Sequence, residues 1–441
     1  MTKNQRLPIY QVGHARIQPR GGRSTIRFQT SLWKKLSEAG ADILPVTVDS
    51  NTRLEKYQEA QKLHVQSELE MVDKLNGFPF LAIPRSEILE MFSGFPQPIS
   101  LRHGSPIAHK LVEKALDCGV DEIEGGPLTY SIPYTRSTPL LSSIISWGKV
   151  EQMCASTKSR QGQPILRESF GVLTAVLVPP YVALLTSFLE AIFSYSYGVR
   201  HFMIGLQSCG NIYQDQAQFE AARKIGLQIS HKYFPELHLY YAFHHWMGPF
   251  PKDENRANDV IDVCNFSAKL AKADKVVVKT SVEAHGVPSE TANYLAVKRT
   301  SRILSHLQEE EVFDSRSFDE DEVHHLVNEV TSAIERIHVR ESAAESLVYA
   351  VESGEVDLMF SPHKAVCRKI EVSRDINGWI RVVNFGDMKV SKNFQKFEKR
   401  FLRKSEDYLS SAQILESMAW PATFNETIVT QIRKQLNRPG I

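Results

Sequence analysis

Over residues 1–290, short apolar runs alternate with longer stretches in which apolar residues recur every three or four positions. Runs such as His201–Leu206 contain few polar residues, which is typical of strands buried on both faces of a parallel sheet. Eight such runs end near Arg20, Arg53, Arg102, Glu124, Phe170, Gln207, His244 and Lys279. Eight strand–helix units predict an α/β fold, the (β/α)8 TIM barrel. An open doubly wound sheet is the alternative, but neither a G-x-G-x-x-G nor a Walker A stretch supports it.

The stretch Ile99–Arg136 contains one complete strand–helix–strand unit. Its first apolar run ends at Arg102. Ser105 and Pro106 are the residue types that favour a helix N-cap and the first helical position, so we expect a helix to begin there. A second apolar run ends at Glu124 and is followed by a proline-interrupted loop with two tyrosines. Because parallel α/β folds place their chemistry at the carboxyl ends of the strands, this unit is the first candidate for a functional site.

The pattern changes after the eighth run, and it divides the chain into three parts. We expect a catalytic barrel over residues 1–290 and a helical segment over 291–350 that completes the barrel exterior. A C-terminal α+β extension is expected over 351–441. Short strands are predicted there at Asp357–Phe360 and, after an Asn-Gly turn, at Trp379–Val383.

Composition narrows the class of protein. The 441 residues are 42% hydrophobic and 23% charged, as in an ordinary soluble enzyme, and the net charge of +1 indicates no nucleic-acid partner. Five cysteines without C-x-x-C spacing fit a reducing cytoplasm, and the N-terminus lacks an apolar core of signal-peptide length. The most apolar stretch, Phe170–Tyr197, contains two prolines and Glu190, which favours a buried strand and core helix over a membrane span.

Arg20, Arg53 and Arg102 are predicted to end three neighbouring strands and to meet at one rim of the barrel. Any one of them alone could be structural. A guanidinium group pairs bidentately with a carboxylate, and a buried anion needs its charge matched. Glu124 on the next strand supplies one negative charge. A ligand with two carboxylates and one ammonium would satisfy all four side chains, so these residues indicate a small acidic amino acid.

Three further side chains near this rim allow two interpretations each. Tyr130 and Tyr134 could cover a ligand and exclude water, or they could simply pack within their loop. His103 could add a hydrogen bond to a ligand, although a single histidine is more often structural.

Lys279 and Glu283 lie four residues apart just after the last predicted strand. They could form a helix salt bridge worth about 0.3–0.5 kcal/mol, or they could bind the ribose hydroxyls of a nucleoside. His244–Trp246 ends a strand, but no further metal-ligand pattern accompanies it. We therefore expect no metal bound by this chain alone.

Many blocks of the sequence resemble, in the same order, the catalytic E (epsilon) subunit of glutamate mutase, also called methylaspartate mutase. The blocks are QPRGG, LPVTVDSNTR, LNGFP, RHGSP, EGGPLTYSIPY, RESFGVLTAVLVPP, FHHWMGPFPKDE, VVVKTSVEAHGVP, FSPHK and SRDINGWIRVVNFG. The resemblance extends from Arg20 to about Gly386 and implies a (β/α)8 barrel.

The resemblance also implies an activity, a cofactor and a partner. The family enzymes are adenosylcobalamin-dependent isomerases that convert (S)-glutamate to (2S,3S)-3-methylaspartate by a radical rearrangement of the carbon skeleton. A separate S subunit holds most of the cobalamin in a heterotetramer of two E and two S subunits. The cobalamin-binding pattern D-x-H-x-x-G is absent here, as that division implies. A mutase acting on another acidic or carrier-bound amino acid, and a non-catalytic barrel that binds acidic amino acids, remain open alternatives.

The resemblance assigns roles to particular positions. It implies that the three arginines bind the two glutamate carboxylates and that Glu124 binds the amino group. Glu124 and Tyr134 would be catalytic. The further substrate contacts would be His103, Glu124, Tyr130 and Tyr134. The coenzyme would be lined by Gly22, Asn76, Pro133, Phe250, Lys279, Glu283 and Val287, with Lys279 and Glu283 on its adenosyl side.

The chain departs from the family pattern in three places. The family lead-in before Arg20 is not present, which would affect contacts within a dimer. Pro127 replaces the third glycine after Glu-Gly-Gly, and His245 gives FHHW where the family has FHQW. The two substitutions are expected at the rim that faces the coenzyme, where they could alter the choice of substrate or partner.

Overall fold

Eight parallel strands form one barrel-shaped sheet in the described part of the chain. In the computed structural model the described residues are 6–10, 13, 15–171, 177–283, 286–307, 319–338, 340–402 and 410–436. The strands are β1 (Arg16–Pro19), β2 (Leu44–Thr47), β3 (Ile99–Arg102), β4 (Glu122–Glu124), β5 (Leu166–Glu168), β6 (His201–Gln207), β7 (His238–His244) and β8 (Lys275–Val278). They pair in the order β1-β8-β7-β6-β5-β4-β3-β2. Backbone hydrogen bonds of 3.0 Å from Asp42 N to Ile17 O and from Thr47 N to Gly21 O join β1 to β2. The predicted TIM barrel is therefore confirmed.

Helices cover the outside of the sheet and bury the outward side chains of the strands. They are α1 (Ile26–Ala39), α2 (Ser50–Arg53), α3 (Tyr57–Glu70), α4 (Arg85–Ser93), α5 (His109–Asp117), α6 (Leu140–Ser156), α7 (Pro180–Ser196), α8 (Ile212–Tyr233) and α9 (Glu254–Leu270). Residues 172–176 of the predicted apolar stretch lie outside the described residues. No helix of the described segments is both long enough and apolar enough to cross a membrane.

The predicted start of the helix after β3 is wrong. The helix α5 begins at His109, three residues beyond Pro106. The backbone N–H of Ser105 donates to Nδ1 of His103 at 3.1 Å. The cap comes from another helix, because Oγ of Ser146 accepts the N–H of Ala108 at 3.0 Å. Neighbouring residues in the sequence could not reveal a cap that is supplied across the fold.

The predicted position of Arg53 at the end of a strand is also wrong. The strand β2 ends at Thr47, and Arg53 is the last residue of the short helix α2. The Asp49 carboxylate caps this helix by accepting the N–H groups of Asn51 at 2.8 Å and Thr52 at 3.0 Å. The Asp-Ser-Asn-Thr sequence therefore turns the chain before the arginine is reached.

The rest of the chain packs on the barrel. Its elements are α10 (Glu290–His306), α11 (Glu320–Ile337), α12 (Ala343–Glu352), β9 (Glu371–Arg374), β10 (Ile380–Asn384), α13 (Lys392–Lys399), α14 (Ser411–Met418) and α15 (Ala422–Leu436). The helix α10 packs against α1 and α9, whereas α11 packs across α7 and α8. The strands β9 and β10 form an antiparallel pair.

The strand predicted at Asp357–Phe360 is not formed. The Asp357 carboxylate instead accepts backbone N–H groups of Arg368 at 2.6 Å, Lys369 at 2.7 Å and Ile370 at 3.0 Å. This buried carboxylate holds two chain segments together in a turn, so the local apolar residues do not pair as a strand.

Candidate active site

A buried ion pair lies at the carboxyl end of the barrel. Arg102 ends β3 and Glu124 ends β4, and these two strands are parallel neighbours. Nη2 of Arg102 pairs with Oε2 of Glu124, and their side chains are 3% and 2% exposed. The hydroxyl of Tyr130 donates to Oε1 of the same carboxylate. Burial lowers the pKa of Arg102, and Nη1 of that guanidinium group has no hydrogen-bond partner among the described residues.

Two glycines let the loop after β4 fold back over this ion pair. Gly125 has a φ of 107°, and a Cβ at this position would overlap the ring of Tyr130. A Cβ at Gly126 would overlap the carboxylate of Glu190 on α7. The Glu-Gly-Gly sequence therefore brings Tyr130 onto Glu124.

Aromatic side chains form a wall beside the ion pair. The ring centroid of Tyr130 lies 4.9 Å from His103, 5.3 Å from Tyr134 and 5.3 Å from Phe170. His103 is also stacked on Trp147 at 5.6 Å. The sequence predicted Tyr130, His103 and Tyr134 as candidate site residues. It did not predict that Phe170 is part of this wall.

His103 presents an unused nitrogen in this buried region. Its Nδ1 accepts the Ser105 N–H, so the neutral ring carries its proton on Nε2, which has no hydrogen-bond partner among the described residues. Burial, with the nearby positive charges of Arg167 and Arg53, lowers the pKa of His103 to about 3. His103 can therefore donate one hydrogen bond to a ligand without carrying a charge.

The other two predicted arginines lie at the same end of the barrel in different surroundings. Cζ of Arg53 is 5.8 Å from the centroid of the Tyr134 ring, and both residues line a cavity of 140 Å³. Arg20 directly follows β1, and its Nη1 lies 3.7 Å from Oε1 of Glu283. The positive charge of Arg20 is near enough to contribute to the lowered pKa of Arg102, after burial. The three arginines thus share one end of the barrel, but only Arg102 is buried.

Most of the residues predicted to line a coenzyme surround one cavity of 360 Å³ beside Arg20. The predicted residues that line it are Gly22, Asn76, Lys279, Glu283 and Val287. Phe250 adjoins this group, because Nζ of Lys279 lies 5.4 Å from the centroid of its ring. Pro133 is not among the lining residues and lies in the half-buried loop after β4.

The Lys279–Glu283 pair is present, but its described residues do not form an α-helix. Nζ of Lys279 is 3.1 Å from Oε1 of Glu283, in a turn after β8. Burial lowers the pKa of Lys279. Burial also acts to raise the pKa of Glu283, but the charges of Lys279 and Arg20 outweigh it, and this pKa is lowered. The pair therefore offers a donor and an ionised acceptor at the cavity wall.

A buried network that the sequence did not predict lies beneath the ion pair. Nζ of Lys275 is 2.5 Å from Oε2 of Glu168 and 2.9 Å from Oε2 of Glu122. Nε2 of His244 is 3.0 Å from Oε1 of Glu168. Burial lowers the pKa of His244 to about 4. Burial acts to raise the pKa of Glu168, but the charge of Lys275, the hydrogen bond with His244 and the charge of Arg102 together outweigh it, and the pKa is lowered. The sequence contains one signal for this network: a lysine lies inside one apolar run, and acidic residues lie inside two other apolar runs.

Three of these side chains also have the composition of a metal site. Ligand atoms of Glu124, Glu168 and His244 all lie within 4.8 Å of one another. The two carboxylates already contact the positive charges of Arg102 and Lys275, which leaves no uncompensated acidic cluster there. The absence of a bound metal stays a prediction.

One departure from the family pattern lies behind the cavity rather than on its surface. His245 is fully buried, and its Nε2 is 2.9 Å from Oδ1 of Asn265. Its Nδ1 accepts the backbone N–H of Lys279 at 3.2 Å. This histidine therefore fixes the backbone of a residue that lines the cavity.

The chain matches one protein family over most of its length. The family model described as "Methylaspartate mutase E chain (MutE)" matches residues 7–410. The chain is 34% identical over 376 residues to the glutamate mutase epsilon subunit of Haloarcula marismortui, covering 84% of this chain and 76% of that one. It is 33% identical over 396 residues to the glutamate mutase epsilon subunit of Desulfitobacterium hafniense, covering 88% and 81%.

Some solved structures match part of the chain. Dihydropteroate synthase from Xanthomonas albilineans is 12% identical with a TM-score of 0.36, and the match covers 68% of this chain and 92% of that one. Because that score is low, the fold assignment rests on the strand order given above. The family match over most of the chain is the stronger finding, and the chain belongs to the methylaspartate mutase E chain family.

Proposed function

We propose that the chain is the catalytic E subunit of an adenosylcobalamin-dependent glutamate mutase. In this proposal it is an isomerase that converts (S)-glutamate to (2S,3S)-3-methylaspartate with a cobalamin-binding S subunit, as an E2S2 heterotetramer. The observation that carries the proposal is the buried Arg102–Glu124 pair, with two more arginines at the same end of the barrel. Membership of the family and the similarity to epsilon subunits support the activity and the need for a partner chain.

The ion pair is suited to binding an α-amino acid, because each of its two charged side chains can pair with an opposite charge of the ligand instead. Without a ligand, Arg102 and Glu124 neutralise each other. A bound substrate would place its α-carboxylate on Arg102 and its ammonium group on Glu124, so that both buried charges stay matched. Arg53 and Arg20 would take the side-chain carboxylate. An unmatched buried charge costs several kcal/mol, so a ligand that lacks one of these groups should bind poorly.

The aromatic wall would protect reactive species. Tyr130 and Phe170 are 1% and 2% exposed, and they pack beside Glu124 together with Tyr134. A closed pocket keeps substrate fragments in position and keeps water away. Tyr130 would also hold Glu124 in the orientation that receives the ammonium group.

The cavity beside Arg20 fits the nucleoside end of the proposed coenzyme. Its 360 Å³ falls within the range of about 300–1,000 Å³ that is usual for small-molecule sites. The hydroxyls of a ribose need donors and acceptors, which Lys279 and Glu283 provide. Oγ1 of Thr280 is also buried there, and it has no hydrogen-bond partner in the described part of the chain. When bound, the coenzyme would supply the organic radical that removes a hydrogen atom from the substrate. In this proposal the S subunit would hold most of the cobalamin.

The proposal is tested by mixing the purified chain with a cognate S chain, adenosylcobalamin and a panel of acidic amino acids. We expect NMR to detect 3-methylaspartate formed from glutamate. Folded protein with bound coenzyme and no such product would overturn the proposal. Turnover of another panel member alone would identify a mutase with a different substrate. Binding of glutamate without a coenzyme-dependent radical in EPR spectra would identify a non-catalytic barrel.

A further inference from the structure

A buried carboxylate on α7 holds the loop that carries Tyr130. Glu190 is 1% exposed, and its Oε1 accepts the backbone N–H groups of Leu128 at 2.8 Å and Thr129 at 2.9 Å. Its Oε2 accepts the hydroxyl of Thr129 at 3.0 Å. These three hydrogen bonds all join Glu190 to one turn of the loop between β4 and α6. This loop spans residues 125–139.

The loop is also fixed at its base. Nη2 of Arg167 donates to the carbonyl of Gly125 at 2.7 Å. The Thr129 hydroxyl accepts the backbone N–H of Phe170 at 3.3 Å, which ties the turn to the aromatic wall. Gly126 lies so close to the Glu190 carboxylate that a Cβ there would overlap it. The glutamate therefore both binds the turn and limits the residue that the turn can contain.

We propose that Glu190 is a positioning residue that sets the hydroxyl of Tyr130 against Glu124. The proposal rests on the function proposed above, because it assigns Glu190 an effect on substrate binding. Tyr130 directly follows Thr129, and its hydroxyl donates to Glu124. A displacement of the 128–129 backbone would therefore be transmitted to the side chain that orients the substrate ammonium group.

Single substitutions distinguish positioning from simple loss of structure. In the reconstituted complex with S chain and coenzyme, Glu190→Ala should raise KM for glutamate and lower kcat. It should leave the affinity for the coenzyme unchanged, because other residues line that cavity. Glu190→Gln keeps the length of the side chain and an acceptor for both backbone N–H groups. It should therefore restore most of kcat/KM.

A double-mutant cycle tests the contact itself. Gly126→Ala should lower kcat/KM because its methyl group meets the Glu190 carboxylate. The combination Gly126→Ala with Glu190→Ala should be much less than additive, with a coupling of about tenfold, because residues in contact couple. Gly386→Ala is the control, since its methyl group meets Lys369 and neither Glu190 nor Tyr130. It should combine additively with Glu190→Ala.

The same cycle is to be measured by urea unfolding, which needs no enzymatic activity. Coupling of Glu190→Ala with Gly126→Ala but not with Gly386→Ala, together with rescue by Glu190→Gln, is the expected result. Additive effects at 126, or a Glu190→Ala variant with unchanged KM and kcat, would overturn the proposal. A wild-type complex without mutase activity would refute the proposed function. In that case the unfolding cycle still tests the contact between residue 126 and Glu190. Additive effects of Gly126→Ala and Glu190→Ala on the free energy of unfolding would refute this contact.

Discussion

At the scale of single residues, the site depends on charges that are matched inside the barrel. Arg102 and Glu124 are almost fully buried and contact each other, and Tyr130 adds a hydrogen bond to the carboxylate. A buried pair of this kind adds little to stability, because desolvation offsets the attraction. Its position at the carboxyl end of two strands supports the proposed binding of a ligand that carries both charges.

The planar guanidinium group of Arg102 should be essential for binding glutamate. Arg102→Lys keeps the positive charge but loses the planar array of donors, so kcat/KM for glutamate should fall about 100-fold, as a charged hydrogen bond contributes about 1.5–3 kcal/mol. Steady-state kinetics measure the loss, and circular dichroism checks the fold. Arg433 pairs with Asp259 on the exterior, and Arg433→Lys should leave kcat/KM unchanged. Equal activity of the Arg102→Lys variant and the wild type would contradict the proposed role.

Glu190 makes stability depend on pH. Burial raises its pKa from 4.5 to about 7. The folded chain therefore keeps this proton to a higher pH than the unfolded chain, and the contribution of Glu190 to stability falls as pH rises from about 4.5 to 7. Relative to Glu190→Gln, the wild type should lose about 3 kcal/mol of unfolding free energy across this window. Urea titrations of both proteins at several pH values provide the measurement, and a constant difference would be inconsistent with a buried, titrating carboxylate.

At the scale of secondary-structure elements, the apolar runs predicted the strands better than the caps. Each of the eight runs contains or adjoins a barrel strand, because continuous burial on two faces requires apolar sequence. The start of α5 was missed because Ser146 caps it from another helix. The strand predicted at 357–360 was wrong because Asp357 accepts hydrogen bonds from residues 368–370. Both errors depend on partners that are distant in the sequence.

The short helix α2 should matter for substrate binding more than its length suggests. Asp49→Ala removes the carboxylate that caps it and should cost about 1 kcal/mol of unfolding free energy. It should also raise KM for glutamate, because Arg53 ends this helix. Ser391 caps α13, so Ser391→Ala should cost a similar amount of stability without a change in KM. Equal KM values for the two variants would show that α2 does not position the arginine.

At the scale of the whole molecule, the barrel interior connects strands that are distant in sequence. Lys275 on β8 contacts Glu122 on β4 and Glu168 on β5, and this network lies beneath the candidate substrate site. The sequence predicted a residue at or beside the end of most strands, and the family resemblance named five of the residues that line the cavity. It did not show which polar side chains meet inside the barrel, because that depends on the closure and register of all eight strands.

Removal of the Lys275 charge at the centre of this network should strongly destabilise the protein. Lys275→Met leaves two buried carboxylates without their shared partner and should cost about 3–5 kcal/mol of unfolding free energy. The triple variant Lys275→Met, Glu122→Gln, Glu168→Gln removes the unmatched charges and should regain much of this loss. Urea unfolding of the three proteins provides the test. An equally unstable triple variant would mean that packing, and not charge, explains the effect.

The exchange of partners at Arg102 and Glu124 is tested most directly by comparing glutamate with glutarate, which lacks only the ammonium group. Calorimetric titration of the reconstituted complex should show glutamate binding at least about 100-fold more tightly, because glutarate leaves Glu124 buried without a cation. Glu124→Gln should remove most of this difference, because it weakens glutamate binding and removes the unmatched charge that disfavours glutarate. Equal affinities of the wild-type complex for the two ligands would contradict the account.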